Sequence, residues 1–332
     1  MMPAEFEPHE RTLMCWPARR EIYGDRFSEA EAAHAALANT IARFEPVTMV
    51  TDRATFPAAT SGCGPGVDIV EIPIDDSWCR DTGPIYVIDD DGTLTGLDFE
   101  FNGWGGKFLP HDQDAQLARR ITATLGHRSR RVDMVLEGGS INSDGKGHIV
   151  TTEQCLLNPN RNPALDRLRI NAILGSELGA RTVVWLPHGL ILDHDTDGHV
   201  DNVAAFTPTG HLLLQGCTDA SEADHARLAE NAAVARAMAE QCGYEVSVIP
   251  VLPFIDTSAG RRVVPYLNFY VCNGCVVVPV CGHEADDDML SLIADHFPGR
   301  EVVGMDIGEI LAVGGGGIHC VTQQVPRPLG GS

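Results

Sequence analysis

Cys320 stands in a setting that suits nucleophilic chemistry. It follows a run of four glycines, residues 314–317, and the pair Ile318 and His319 near the end of the sequence. Four consecutive glycines weaken any regular element and require a special backbone conformation. The run is therefore either a flexible loop or a backbone that passes close to a ligand and presents Cys320, and composition alone favours neither. A cysteine thiolate is a strong nucleophile toward an electron-poor carbon.

A second cluster combines histidine with carboxylates over residues 193–201, which read Asp-His-Asp-Thr-Asp-Gly-His-Val-Asp. The spacing of its acids and its glycine resembles the start of a calcium-binding loop. Ala204 stands where such a loop requires a bidentate glutamate, and the preceding residues 187–192 are strand-like, so the calcium interpretation fails. The cluster also lacks a recognised transition-metal ligand spacing. We expect His199, flanked by carboxylates, to act as a general acid and base.

Three further motifs are interpreted as structural. Cys272 and Cys275 have C-x-x-C spacing but no second pair, so we predict structural thiols. Residues 103–107 lack the glycine spacing of a phosphate loop and predict a turn. Gly138 and Gly139 are too short a motif for a dinucleotide fingerprint. We therefore predict neither a metal nor an organic cofactor.

The composition excludes several classes of protein. The 332 residues include 24 Lys and Arg against 46 Asp and Glu, a formal net charge of −22, which argues against a nucleic-acid partner. Hydrophobic residues at 44% and charged residues at 21% are typical of globular proteins. Without a long apolar run or a signal-peptide pattern, we expect no membrane association and a cytoplasmic location. The 10 scattered cysteines fit a reducing compartment.

Apolar periodicity predicts five helices. The first is predicted to begin with a capping box of Ser28 and Glu31, and the third with Asn162 as its N-cap. The first helix is defined by Leu37, Ile41 and Phe44, and the second by Leu117, Ile121, Leu125 and Gly126. The third is defined by Leu165, Leu168, Ile173, Leu174, Leu178 and Gly179, and the fourth runs from Ser221 to near Gly243. The fifth is defined by Met289, Leu290, Ile293 and Phe297, which follow the acidic run 286–288.

Short apolar runs between the helices predict strands, and each helix is followed by a polar or glycine-rich motif. The strand runs are 67–74, 132–136, 183–186, 275–280 and 301–303. The motifs are 76–81, 137–140, 195–202, 268–274 and 314–320. Five such units arranged around an axis would bring distant motifs to one central site. A doubly wound parallel sheet is the competing architecture, which the pattern alone does not exclude.

These motifs resemble those of a known family, the agmatine deiminases, within the guanidino-group-modifying (pentein) superfamily. The resemblance extends over nearly the whole chain as a single catalytic domain, residues 1–332. It implies an α/β fold, a five-bladed α/β propeller with pseudo-fivefold arrangement of its units. The segments that carry the resemblance are 2–10, 76–84, 101–107, 136–140, 153–163, 195–202, 267–270 and 314–324.

The resemblance also implies the site residues. Cys320 would be the nucleophile, His199 the general acid and base, and Glu137 a further carboxylate among the catalytic groups. Asp81 and Asp201 would hold the guanidinium of the substrate by charge-assisted hydrogen bonds. Trp78, from the same motif as Asp81, is predicted to contact the substrate as well.

The implied activity is deimination of agmatine to N-carbamoylputrescine and ammonia, as part of putrescine and polyamine synthesis. The expected partner is a small cationic guanidino substrate, and a homo-oligomer of this chain is allowed. Three alternatives stay open at this point: a deiminase of arginine or a guanidino acid, a catalytically silent guanidinium-binding protein, and an amidinotransferase.

Three departures from the family pattern bear on the substrate. Family members usually have a Trp at the position of Cys217 and an acidic residue at the position of His194, and residues 250–262 form a short segment here. We expect these positions to lie near the far end of the substrate. Arg261 and Arg262 are the candidate partners for a substrate carboxylate.

Overall fold

The fold is built from short strands and 11 helices or helical turns, as seen in a computed structural model that describes residues 1–257 and 260–328. The strands are β1 (His9–Cys15), β2 (Val47–Thr51), β3 (Val67–Glu71), β4 (Ile85–Ile88), β5 (Leu94–Glu100), β6 (Arg128–Val135), β7 (Ile141–Ser143), β8 (His148–Thr152), β9 (Thr182–Leu186), β10 (Ala204–Phe206), β11 (His211–Gln215), β12 (Glu245–Ile249), β13 (Phe254–Thr257), β14 (Gly260–Val263), β15 (Tyr270–Cys272), β16 (Cys275–Pro279), β17 (Glu301–Met305) and β18 (Thr322–Pro326). The helices are α1 (Arg20–Tyr23), α2 (Phe27–Ile41), α3 (Phe56–Gly62), α4 (Cys79–Thr82), the irregular turn α5 (Gly103–Gly106), α6 (Leu117–Thr124), α7 (Glu153–Leu156), α8 (Arg167–Leu178), α9 (Asp224–Cys242), α10 (Asp286–His296) and α11 (Gly308–Gly314).

One strand pattern recurs in every main sheet. A first strand pairs antiparallel with a second, the chain crosses through a helix, and a third strand pairs parallel with the second. The helix is required because two parallel strands cannot be joined by a tight turn. Four units follow this order without interruption: β4-β5-α6-β6, β7-β8-α8-β9, β10-β11-α9-β12 and β15-β16-α10-β17.

The fifth unit joins the two ends of the chain. Its sheet has the order β18-β1-β2-β3, in which β18 takes the place of the antiparallel first strand. Thr322 of β18 lies opposite Met14 of β1. The first strands of neighbouring units also touch, β4 against β18 and β7 against β10. The prediction of five mixed α/β units is confirmed, and the single doubly wound sheet is wrong because the strands of the described residues divide into separate sheets.

The first predicted helix forms, but its predicted cap does not. α2 begins at Phe27, before Ser28, and Arg26 at its start makes no capping hydrogen bond through its side chain. Glu31 instead accepts a hydrogen bond from the indole of Trp16 at 3.3 Å. Burial of the apolar face, including Leu37, is therefore what holds the helix, in agreement with the rule that tertiary packing stabilises most protein helices.

The third helix begins later than its sequence pattern predicts. Asp166 is the N-cap of α8, and its Oδ1 accepts from the backbone N–H of Arg169 at 2.9 Å. Asn162 bonds both the N–H and the carbonyl of Val135 on β6, so it ties two segments together. Leu168, which the pattern placed on the apolar face, is 78% exposed.

The remaining helices agree with the sequence pattern apart from one boundary. α9 begins at Asp224, because Ser221 is engaged in a turn with the carboxylate of Asp219. Gly179 and Gly243 end α8 and α9 in the left-handed conformation that favours glycine. α6 and α10 form where they were predicted.

The polar motifs occupy the connections from the third strand of one unit to the first strand of the next. Residues 76–81 lie between β3 and β4, 137–140 between β6 and β7, 195–202 between β9 and β10, and 314–320 between β17 and β18. The motif 268–274 runs from the approach to β15 through the β15–β16 hairpin. The polar motifs therefore lie at the same end of each repeated α/β unit.

Two further features of the chain concern its cysteines and its helices. All 10 cysteines lie in the described ranges and are free thiols, and Cys272 pairs in register with Cys275 across the β15–β16 hairpin. No helix of the described residues combines the length and the apolar character that crossing a membrane requires.

Candidate active site

Cys320 is presented by a backbone that passes close to other groups. α11 ends at Gly315, whose φ of 102° lies in the left-handed region. A Cβ at Gly316 would lie 2.5 Å from the ring of Trp78 and 3.1 Å from Cβ of Cys320. The glycine run therefore allows close approach, which resolves the choice that composition left open. Cys320 itself is only 5% exposed.

The loop that carries His199 is organised by a carboxylate. Asp193 Oδ2 accepts from the backbone N–H of His199 and from the amide of Asn202, each at 3.0 Å. Its Oδ1 accepts from the hydroxyl of Thr196 at 2.6 Å. The acidic residue that resembled a calcium ligand thus binds its own loop, and this fixes the backbone on both sides of His199.

Asp81 lies in the short helix α4 and is held by two donors. Its Oδ1 accepts from the backbone N–H of Gly139 at 3.0 Å, and its Oδ2 accepts from the indole N–H of Trp104 at 2.9 Å. Trp104 has a φ of 54°, rare for a residue with a side chain and costing roughly 1–2 kcal/mol. The segment predicted as a simple turn therefore places an indole donor against a buried carboxylate.

Three of the predicted side chains converge beside Gly139. A Cβ at this glycine would lie 2.6 Å from Nδ1 of His199, 2.9 Å from Oδ2 of Asp201 and 3.0 Å from Oδ1 of Asp81. Nδ1 of His199 is 3.8 Å from the same oxygen of Asp81. Both ring nitrogens of His199 lack a hydrogen-bond partner within the described part of the chain. The imidazole is thus positioned by packing and free to exchange a proton.

Cys320 joins this group through Asp201 and Asn268. Its Sγ lies 3.6 Å from Oδ2 of Asp201. The side-chain amide of Asn268 donates to Sγ at 3.3 Å. Asp201 also accepts from Nδ1 of His319 at 2.9 Å, while its Oδ1 has no partner among the described residues. One carboxylate oxygen is therefore available to a ligand.

Glu137 lies on the other side of His199, fully buried and paired with a cation. Its Oε1 accepts from Nε of Arg161 at 2.6 Å, and its Oε2 is unpartnered among the residues described. Arg161 also donates to Asp197 at 2.6 Å. Glu137, Cys155 and His199 have potential ligand atoms within 4.8 Å of one another. A metal ion there would occupy the imidazole and compete with Arg161 for Glu137.

The buried negative charge opposes ionisation of the thiol. Burial raises the pKa of Cys320 well above its usual value, and Asp201 and Asp81 add to this, against a smaller opposing effect from Asn268. Burial likewise raises the pKa of Asp81. The pKa of Asp201 is lowered instead, because the hydrogen bond and charge of His319 outweigh burial.

His199 retains its proton in the same surroundings. Burial alone would lower its pKa, but Asp81, followed by the neighbouring Cys155 and then Asp201, raises the pKa well above the ordinary value of histidine. The free site therefore contains a neutral thiol beside an imidazolium and ionisable carboxylates. Such a site attracts a compact cation.

A cavity with aromatic walls leads to Cys320. Its lining includes Trp78, Trp104 and Phe108, together with Asp81 and Cys320. Indole rings of this kind bind planar cations through their π faces. The predicted substrate contact of Trp78 is thus placed at the cavity wall.

An outer cavity of about 130 Å³ adjoins the inner one. Both cavities share Asp195 and Gly315 as lining residues. The outer cavity is also lined by His194 and Arg262, so two of the positions expected near the far end of a substrate do lie there.

The other expected positions lie elsewhere. Cys217 lines neither cavity, and its thiol approaches the carbonyl of Asp219. Arg261 forms an ion pair with Glu222 at 2.6 Å and lies 3.9 Å from the ring centroid of Phe254, so it is already engaged. Within the short segment 250–262, residues 258 and 259 lie outside the described residues.

Sequence analysis assigned no role to several residues that complete the site: Trp104, Asn268, His319, Cys155 and Arg161. All five lie in segments that carry the family resemblance, which is the only signal that could have marked them. Which of them reach the cluster depends on how the connections of the separate units meet, and local sequence does not encode that.

Replacing Gly139 by alanine tests the convergence directly. We expect Gly139→Ala to lower kcat/KM for the substrate by about 100-fold, because a methyl group must displace His199, Asp81 or Asp201 from its position. Enzyme kinetics and circular dichroism would measure activity and fold. Gly175→Ala, in α8 and with only the carbonyl of Ala180 at 3.3 Å, is the control. Equal activity of both variants would show that these three side chains need not meet there.

Comparison with known proteins identifies the family. The model of the Porphyromonas-type peptidyl-arginine deiminase family matches residues 1–326. The agmatine deiminase of Stutzerimonas stutzeri is 41% identical, with 99% of this chain and 96% of that protein covered. The agmatine deiminase of Pseudomonas aeruginosa is 39% identical, with 98% of this chain and 95% of that protein covered. The structure of the agmatine deiminase of Enterococcus faecalis superposes with a TM-score of 0.93 at 32% identity, covering 99% of this chain and 96% of that one. The chain therefore belongs to the agmatine deiminase family, with the pentein fold of five α/β units.

Proposed function

We propose that this protein is a hydrolase that converts agmatine and water into N-carbamoylputrescine and ammonia. The observation that carries the proposal is the meeting of a buried thiol, an imidazole and two carboxylates beside Gly139. The names of the similar proteins from Stutzerimonas and Pseudomonas support agmatine as the substrate.

Asp81 and Asp201 bind the guanidinium in this proposal. A guanidinium is planar and presents several N–H donors that match carboxylate oxygens. Each carboxylate oxygen can accept more than one hydrogen bond, so Asp81 remains an acceptor beside Gly139 and Trp104. Trp78 and Cys320 both line the inner cavity, so the indole contacts the cation there and the thiol lies in the same cavity as its carbon.

The first half of the reaction forms a covalent intermediate. Once the cation is bound, the thiol of Cys320 loses its proton to solvent, and the thiolate adds its electron pair to the guanidinium carbon and forms a C–S bond. His199 donates its proton to one terminal nitrogen, and the C–N bond breaks with its electrons on that nitrogen. Ammonia leaves and an S-alkylthiouronium remains on the enzyme. The raised pKa of His199 suits this role, because the proton is present when the leaving nitrogen needs it.

The second half consumes one water molecule. His199, now neutral, accepts a proton from water as the oxygen adds to the thiouronium carbon. The C–S bond then breaks, its electrons return to Cys320, the proton left on the added oxygen passes to solvent, and the urea group of the product forms. Glu137 lies close to His199, and Arg161 binds its carboxylate. In this proposal the thiol, imidazole and carboxylate groups perform these steps.

The outer cavity receives the ammonium end of agmatine. Asp195 lines both cavities, so its carboxylate lies where the inner cavity opens outward. Burial and the neighbouring Asp193 raise the pKa of Asp195, which indicates an excess of negative charge that an ammonium group would offset. Arg262 lines the same outer cavity and is the feature that would favour a substrate with a carboxylate instead.

The proposal extends to the organisation and location of the protein. The pairing of β1 with β18 supports a single catalytic domain, because both chain ends belong to one sheet. Free thiols at all 10 cysteines support the reducing environment of the cytoplasm. A homo-oligomer stays a prediction, which light scattering can check.

Replacement of the nucleophile tests the reaction. We expect Cys320→Ala to abolish ammonia release from agmatine, because no other described thiol contacts Asp201. Coupled ammonia detection and mass spectrometry of the product, with and without an added amine, would measure turnover and distinguish hydrolysis from amidino transfer. Cys217→Ala, outside both cavities, is the control. Near-normal ammonia release by Cys320→Ala would overturn the mechanism.

Neutralising Asp195 tests the orientation of the substrate. We expect Asp195→Asn to raise KM for agmatine by about tenfold, equal to about 1.4 kcal/mol, with kcat little changed, because the ammonium contact is distant from the reacting carbon. Steady-state kinetics with agmatine, arginine and guanidinobutyrate would measure this. Asp133→Asn, whose side chain is 93% exposed on β6, is the control. An unchanged KM would place the ammonium elsewhere.

A bound cation should shift the titration of the thiol. Burial and the two carboxylates raise the pKa of Cys320, so the free thiol stays protonated below that pKa. A guanidinium ion between the carboxylates favours the thiolate, and we expect the pKa to fall. The ultraviolet thiolate absorbance of the protein minus that of Cys320→Ala, recorded against pH with and without millimolar guanidinium, measures the shift. The control replaces guanidinium by sodium at equal ionic strength. Identical titration curves with guanidinium and with sodium would refute substrate-assisted ionisation.

A further inference from the structure

His319, next to the nucleophile in the chain, is a buried histidine between two carboxylates. Its Nδ1 lies 2.9 Å from Oδ2 of Asp201, and its Nε2 lies 2.8 Å from Oε2 of Glu5. The residue is 4% exposed. Its backbone N–H donates to the side-chain oxygen of Asn268 at 3.0 Å, so the main chain is held as well. Glu5 comes from the opposite end of the sequence.

The two contacts determine the protonation state of the ring. A neutral imidazole carries a proton on only one nitrogen and would turn a lone pair toward the other carboxylate. Two carboxylate partners therefore require both nitrogens to donate, which makes His319 an imidazolium. Burial and Arg80 lower its pKa, but Glu5 and Asp201 outweigh them and raise it above the ordinary value.

Glu5 is itself fixed as an anion. Its Oε2 lies 3.4 Å from Nη2 of Arg80, and its Oε1 accepts from the backbone N–H of Val271 at 2.8 Å. His319 and Arg80 outweigh the effect of burial and lower the pKa of Glu5 to about 2. Opposite charges thus alternate from Arg80 through Glu5 and His319 to Asp201.

We propose that His319 is a positioning residue, whose imidazolium, anchored by Glu5, keeps Asp201 ionised and correctly turned to grip the guanidinium. The inference rests on the proposed function for the role of Asp201. One oxygen of Asp201 is bound by His319, so the carboxylate cannot rotate freely, and the other oxygen is left for the substrate. Without the positive charge, Asp201 would be a buried carboxylate near Asp81 and would take up a proton more readily.

Several other groups act on the same pair. The titratable and charged side chains around His319 and Asp201 are Glu5, Arg80, Asp81, His199, Tyr270 and Cys320. Arg80 also lowers the pKa of Asp201 through its charge, but its side chain is bound to Glu5 and, at 2.6 Å, to Gln324. His319 is therefore the cation in direct contact with Asp201.

The pH profile of kcat/KM separates this role from a merely structural one. His319→Asn retains a donor toward Asp201 and removes the charge. We expect the acid limb of the profile to become steeper and to move upward by up to about one pH unit, because Asp201 then takes up a proton at higher pH and its titration joins that of Asp81. Glu5→Gln should also move the acid limb to higher pH, but by a smaller amount, because the imidazole of His319 remains.

Glu45→Gln is the matched control. Glu45 is a buried partner of another histidine, His9, at 3.1 Å, and accepts from Thr12, without contact to Asp201. We expect its acid limb to coincide with that of the unaltered protein. A uniform loss of activity with an unmoved acid limb in both His319→Asn and Glu5→Gln would overturn the proposal.

The unaltered protein offers a second test that does not depend on turnover. Nitrogen-15 NMR of histidine-labelled protein should show His319 with both ring nitrogens protonated at about pH 7, where an ordinary histidine is mostly neutral. The spectrum of His319→Asn, which lacks the signals of this ring, assigns them to His319. A neutral His319 at that pH would overturn the proposal even if a variant failed to fold. Failure of the unaltered enzyme to release ammonia from agmatine would instead reject the proposed function and leave this measurement standing.

Discussion

The active site depends on keeping carboxylates ionised inside the protein. Asp81, Glu137 and Asp201 are all buried, and an unpaired buried charge costs several kcal/mol. Each is therefore bound by a specific donor: the indole and backbone N–H at Asp81, Arg161 at Glu137, and His319 at Asp201. These donors leave Oε2 of Glu137 and Oδ1 of Asp201 without a partner among the described residues, while each oxygen of Asp81 already accepts one hydrogen bond.

This balance of charge links binding to reactivity. The same carboxylates that we propose as the guanidinium ligands raise the pKa of Cys320 and of His199. An empty site therefore contains a protected thiol, which is less prone to side reactions than a free thiolate. In the proposed reaction, a bound substrate cation relieves the repulsion on the thiolate, so that the nucleophile becomes available where its target carbon is present.

The fold supplies the positions for these charges through repetition. Each unit ends in a parallel strand, and the connection to the next unit passes the centre, so equivalent turns meet although they are far apart in sequence. The pairing of β18 with β1 has a particular consequence. It brings Glu5 from the first residues beside His319 from the last connection, and the two ends of the chain together complete one charge network.

The amino-acid sequence by itself determined the helix and strand periods and indicated five α/β units without excluding a doubly wound sheet. Through the family resemblance it also supplied the candidate residues from Trp78 to Cys320. Local patterns were less reliable at helix starts, as the caps expected at Ser28 and Asn162 show, because Glu31 of the expected capping box binds Trp16 and Asn162 binds the backbone of Val135. Only the tertiary structure decided that Trp104 and His319 support the two carboxylates. Those contacts join residues separated by 23 and 118 positions, and they depend on how separately folded units meet rather than on any local preference.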